Sequence, residues 1–98
     1  MTEVKAVLRN FLDANGKLTA FPAKRKMKIY ALLYLSDRFE SGREYSEREV
    51  NDILLDWHTF ADPATLRREL YDYHFLDRSP DGRVYRLSQP QPVMEELV

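Results

Sequence analysis

Apolar positions recur along this chain with a helical period in four stretches, then give way to two short strands around a turn. Val4, Val7, Leu8, Phe11 and Leu12 fall at i, i+3, i+4, i+7 and i+8, one face of a helix. Asn15-Gly16 supplies a left-handed stop. Lys17-Leu18-Thr19 reads as short and extended, and Pro22 suits the first position of a second helix, where its missing N–H costs nothing. That helix is predicted to reach about Phe39, with Ile29, Leu32, Leu33 and Phe39 inward, and Ser41-Gly42 ends it. Ser46 and Glu49 spell a capping box, and Tyr45 and Val50 stand at hydrophobic-staple spacing. Val50, Ile53, Leu54 and Trp57 form the apolar stripe of the third helix; its other face, Glu47, Arg48, Asn51, Asp52 and Asp56, is mostly acidic.

After a break at residues 58–61, Asp62 can cap a fourth helix that has Pro63 at its first position. Leu66, Leu70 and Tyr73 face inward. Ala64, Arg68 and Tyr71 face outward, flanked by Thr65 and Arg67. The helix is predicted to end near Tyr73-His74, since histidine tolerates the left-handed region better than most residues. Strands at 75–78 and 83–87 flank Ser79-Pro80-Asp81-Gly82, a type I turn closing on a left-handed glycine. Arg43-Glu44-Tyr45 could add a short third strand, and beyond Ser88 the Gln-Pro repeats read as an extended, mobile tail. The order predicts an α+β fold, a winged helix-turn-helix with an extra N-terminal helix and a C-terminal two-stranded wing. Its domain spans residues 1–87, with the tail at 88–98.

The bulk composition narrows the function classes. With 98 residues, 44% hydrophobic and 32% charged, the chain suits one globular domain. It has no cysteine, so disulfides, thiolate metal sites and thiol nucleophiles are excluded. His58 and His74 have no metal-ligand spacing, and neither a nucleophile elbow nor a phosphate-cradling glycine loop is present. Neither catalysis, nor a cofactor, nor a bound metal is therefore expected. The apolar runs are far shorter than a membrane span, and MTEVKAVLRN lacks the apolar core of a signal peptide, so no membrane association is expected and the expected compartment is the cytoplasm.

Charge changes the picture more. The net charge is −1, but it is unevenly spread. Residues 17–28 carry Lys17, Lys24, Arg25, Lys26 and Lys28 and no acid, whereas residues 29–62 carry an acidic excess. Cations in the first turns of a helix oppose its dipole, so local stability does not explain Lys24, Arg25, Lys26 and Lys28; phosphate contact would, and so would a solvated face or an acidic partner surface. Arg67 and Arg68 on the fourth helix are candidates to read guanine edges, with Arg67 alternatively paired to an acid such as Asp56. Thr65 and Tyr71 could add contacts, and Arg78, Arg83 and Arg86 of the hairpin could meet the DNA backbone, with Arg83 at the turn. The leading expectation is a module that binds double-stranded DNA in transcription regulation, its fourth helix in the major groove. A homodimer through the N-terminal helix is possible on the same pattern. The alternatives are a protein-interaction module, or a ligand-sensing module with a pocket near Phe11, Phe21 and Tyr30. The acidic third helix is the main objection to DNA.

Several stretches also resemble a bacterial family catalogued as domain of unknown function 2087, often joined to ArsR-type helix-turn-helix regulators. The stretches are residues 18–26, residues 45–51, and residues 60–78 with Asp62, Thr65-Leu66-Arg67-Arg68-Glu69-Leu70 and Asp72-Tyr73, then Asp81-Gly82 and Tyr85. The resemblance runs from about Leu8 to Arg86 and implies transcription regulation by association. It departs at His74, where the family pattern has glycine.

Overall fold

The computed structural model describes residues 2–93. Among them are four α-helices, α1 (Thr2–Val7), α2 (Arg25–Ser36), α3 (Glu47–Leu55) and α4 (Pro63–Asp72). Three strands accompany them, β1 (Tyr45–Ser46), β2 (Leu76–Arg78) and β3 (Val84–Leu87). The strands form one antiparallel sheet in the order β1-β3-β2, with Tyr45 opposite Tyr85 and Arg78 opposite Tyr85 on its other edge. An α+β fold of this element order is compatible with a winged-helix-like arrangement: β1 stands between α2 and α3, and the β2–β3 hairpin follows α4 directly.

The N-terminal stripe divides in two. α1 stops at Val7, and a 3-10 turn at Arg9–Phe11 carries the chain on. Val4 and Leu8 are buried, and Leu12 pairs with Leu18 in an isolated bridge. The extended segment expected at Lys17-Leu18-Thr19 ties this end to α3: Leu18 N–H donates to Trp57 O, and Thr59 N–H donates to Leu18 O. Gly16 adopts φ +77, and a Cβ there would stand 3.0 Å from the Tyr34 hydroxyl, which donates to Gly16 O at 2.7 Å.

α2 corrects the expected start at Pro22. The first i→i−4 bond runs from Lys28 N–H to Lys24 O, and Lys24 is the N-cap. The Pro22 ring is buried ahead of the helix instead. The regular helix ends at Ser36, and tighter bonds from Arg38 N–H and Phe39 N–H carry the chain round to Phe39. Ile29, Ala31, Leu32, Tyr34 and Leu35 are its buried face, so α2 is held by packing. Leu18, Val50, Leu54, Leu66, Leu70, Phe75 and Tyr85 complete a core shared by every layer.

The short third strand, expected at Arg43-Glu44-Tyr45, forms at Tyr45–Ser46, two residues later at its start and one at its end. Ser46 then turns from strand to cap: its hydroxyl accepts Glu49 N–H at 3.1 Å, and the Glu49 carboxylate accepts Ser46 N–H at 2.9 Å. Ser88 Oγ donates to Asp77 at 2.9 Å, and Gln91 Nε2 donates to Phe75 O at 3.0 Å, so the segment expected to be mobile from Ser88 is tied beside β2 as far as Gln91. The rest of the expected tail, beyond residue 93, lies outside the described residues.

Candidate nucleic-acid interface

α4 is aimed by the turn that precedes it. His58 is buried, with Nδ1 2.5 Å from Leu54 O and Nε2 accepting Asp62 N–H at 2.9 Å. A carbonyl can only accept and an amide N–H can only donate, so the ring carries its proton on Nδ1. It latches the end of α3 to the cap of α4. Ala61, at φ +52, gives the turn its sharp reversal. Asp62 then accepts Thr65 N–H at 3.2 Å. Its carboxyl is held below the usual range by the Thr65 hydroxyl and N–H first, with a smaller attraction from Arg68. Thr65 is half-buried beside this cap.

With Leu66 and Leu70 buried, helical geometry turns Ala64, Arg68 and Tyr71 to solvent. Arg68 is exposed, as expected. Its neighbour Arg67 is not a free reader of base edges. Its side chain is only 17% exposed, Nη1 donates to Asn51 Oδ1 at 2.5 Å, and Nη2 lies 3.5 Å from the Glu47 carboxylate. Its guanidinium also stands 6.0 Å from the centroid of the Tyr85 ring. Arg67 thus pins α4 to α3 and the sheet, and its acidic partner is Glu47 instead of Asp56.

The hairpin supplies a residue that the sequence pattern did not single out for the α4 face. The Arg78 guanidinium stacks 4.5 Å over the exposed Tyr71 ring. It is held above the ordinary arginine value first by its hydrogen bond to Tyr85, with help from Tyr71. Tyr71 and Arg78, with His74 and Arg86, line an open recess of about 440 Å³ between the end of α4 and the hairpin. His74 adopts φ +67, the left-handed exit expected of it. Arg83 lies at the hairpin turn, its side chain 85% exposed and 4.0 Å from Asp81, a surface pair worth little.

The basic cluster is divided between two sides of α2. Arg25 stacks 5.4 Å over Tyr73, and Lys28 lies 3.8 Å from Glu69, so both are turned to α4. Lys28 is therefore engaged within the fold. Lys24 instead borders an apolar recess of about 440 Å³ that it lines with Phe11, Pro22, Ala23 and Met27. Of the three residues expected at a ligand pocket, Phe11 lines this recess, while Phe21 lies under Lys28 and Tyr30 packs on the core. Lys26 is exposed.

The acidic face of α3 is partly neutralised. Glu47 meets Arg67. Glu49 serves the cap and lies 3.7 Å from Arg43, and its carboxyl is held below the usual range chiefly by Ser46. Asp52 and Asp56 stay exposed. Among the described residues no group of three or more His, Asp or Glu could hold a metal ion, and no helix is long and apolar enough to cross a membrane.

A family model described as "Uncharacterized protein conserved in bacteria (DUF2087)" matches residues 17–87. No curated protein and no solved structure matches the chain.

Proposed function

The chain belongs to this bacterial DUF2087 family, and from that premise we propose that it is a winged-helix DNA-binding module acting in transcription regulation, not an enzyme. One observation carries the reading: Arg68 and Tyr71 stand together on the exposed face of α4, with Arg78 of the hairpin stacked over Tyr71. In a winged helix this face enters the major groove and the hairpin lies over the adjoining backbone. Arg68 is the base-reading side chain of this proposal, able to reach the O6 and N7 of guanine together. Arg25, Arg78 and Arg83 are its phosphate contacts. The pairing of Glu47 with Arg67 supports it, because one acid that would repel phosphate is already neutralised.

The test is fluorescence anisotropy of a random duplex titrated at about 50 and about 200 mM salt, where phosphate contacts lose affinity steeply. Wild-type protein should bind at the lower salt and weaken sharply at the higher. Arg68→Glu should weaken binding at least tenfold while leaving the melting temperature unchanged. Arg67→Glu should instead lower the melting temperature, since it breaks the tie to Asn51 and Glu47. Absence of binding at about 50 mM salt would sink the DNA reading.

A further inference from the structure

Two exposed surfaces outside the α4 face are complementary in charge and in apolar character. The first is the recess beside the start of α2. Phe11, Pro22, Ala23 and Met27 give it an apolar floor, and Lys24 stands at its edge. Lys26, two residues on, is exposed as well. No acid occurs between Asp13 and Asp37, and no ion pair of Lys24 or Lys26 is found among the described residues. Both lysines oppose the α2 dipole, so the helix itself gives no reason for them.

The second surface is the outer face of α3. Leu55 is 45% exposed, one of few large apolar side chains in that state, and Asp52 and Asp56 flank it one helical turn apart. Arg48 lies a turn further back on the same face. Neither aspartate has an ion pair among the described residues. A leucine between two carboxylates matches, in charge sign, an apolar recess edged by the Lys24 ammonium with the exposed Lys26 two residues on.

We propose that a second copy of this chain docks its α3 face on the recess, with Leu55 seated among Phe11, Pro22 and Met27 and the two aspartates facing Lys24 and Lys26. Charge selects this pairing. A two-fold pairing of the recess with itself would bring basic surface to basic surface, and a two-fold pairing of α3 faces would join two faces that each carry Asp52 and Asp56 against one Arg48, acid excess to acid excess. The contact joins unlike surfaces, so it is head-to-tail and each copy offers both halves. It is small and polar-rimmed, hence weak, and it is screened by salt. It stands independently of the DNA reading.

Sedimentation velocity on the DNA-free protein, up to about 1 mM where small interfaces become populated, tests it. The weight-average mass should rise with concentration at about 20 mM salt, and the rise should be lost at about 500 mM. Asp52→Lys with Asp56→Lys should abolish association, as should Lys24→Glu with Lys26→Glu. Circular dichroism melts should show both variants folded and no less stable than wild type, the lysine-to-glutamate pair somewhat more so, since all four residues are exposed and acids suit the start of α2. An equimolar mixture of the two variants should associate again, because each then meets the opposite charge on the other. Leu55→Ser should lower association without altering its salt dependence. A wild-type mass that stays monomeric throughout overturns the proposal. So does association of either double variant at the wild-type level, or a mixture that stays monomeric while wild type associates.

Discussion

Helices α2 and α3 begin in opposite ways. α3 starts on Ser46, whose hydroxyl takes up a free amide, while Glu49 answers with its carboxylate and Glu47 adds negative charge in the first turn. α2 starts on Lys24, which makes no side-chain cap bond, and continues into Arg25, Lys26 and Lys28 with no acid in the first turn. The side-chain cap and the first-turn acids that favour a helix start are present at α3 and absent at α2, where cations stand in their place. The start of α3 is thus accounted for by its own neighbours. The start of α2 stands because Ile29, Leu32 and Leu35 are buried behind it, and its cations serve contacts beyond the helix: Lys28 meets Glu69 and Arg25 meets Tyr73, while Lys24 and Lys26 are exposed.

The sharpest way to break this contrast is Leu32→Ala. If packing alone holds α2, removing a fully buried leucine should cost about 2–5 kcal/mol in urea denaturation, and a loss below about 1 kcal/mol would contradict the account. His58→Ala comes next. It strips partners from Leu54 O and from the Asp62 amide that begins α4, and should cost about 1–3 kcal/mol. Restoration by a neutral hydrogen-bonding residue such as glutamine should be partial at best, because two bonds in one plane must be met.

Ser46→Ala should cost about 1 kcal/mol by the same measurement. It should also flatten the acid limb of the stability profile. The Glu49 carboxyl is held below its ordinary value chiefly by Ser46, so its folded pKa lies under its unfolded one. The stability this contributes is present above the ordinary carboxylate range and is lost as pH falls through the folded pKa. Without Ser46, that acid-side loss should shrink. The smallest effect should have the opposite sign. Lys24 already has the extended backbone of a cap residue, φ −72 and ψ 134, so Lys24→Ser should raise stability by about 0.5 kcal/mol. A fall on Lys24→Ser would show that the lysine serves the helix after all.

Those features whose cause lies within four residues were legible from the chain. The capping box at Ser46 and Glu49, the Asp62-Pro63 start of α4, the left-handed exit at His74 and the turn closed by Gly82 all formed as the pattern predicts. The start of α2 was misread because Pro22 carries a helix-start signal that burial of its ring overrides. At the candidate interface, the exposure of Arg68 followed from the wheel, whereas the role of Arg67 did not. Its partners Asn51 and Glu47 lie on another helix, and only the crossing of α3 with α4 brings them to its guanidinium. Tyr71 and Arg78 are likewise joined only by the fold of the hairpin back over α4.

By itself, then, the sequence determined where three of the turns and helix starts fall, which faces are apolar, and that a run of cations stands without acids. Those are properties of spacing and of neighbouring atoms, and they need no partner from afar. The tertiary structure alone decided which charges are spent and which remain. It turned Arg67 and Lys28 inward to carboxylates, set Lys24 on an apolar recess, and left Arg68, Asp52 and Asp56 facing water. The reason is geometric. Coulomb attraction and hydrogen bonds act over a few ångströms in space, and which side chains come that close is fixed by helix crossings and strand register, which no local pattern records.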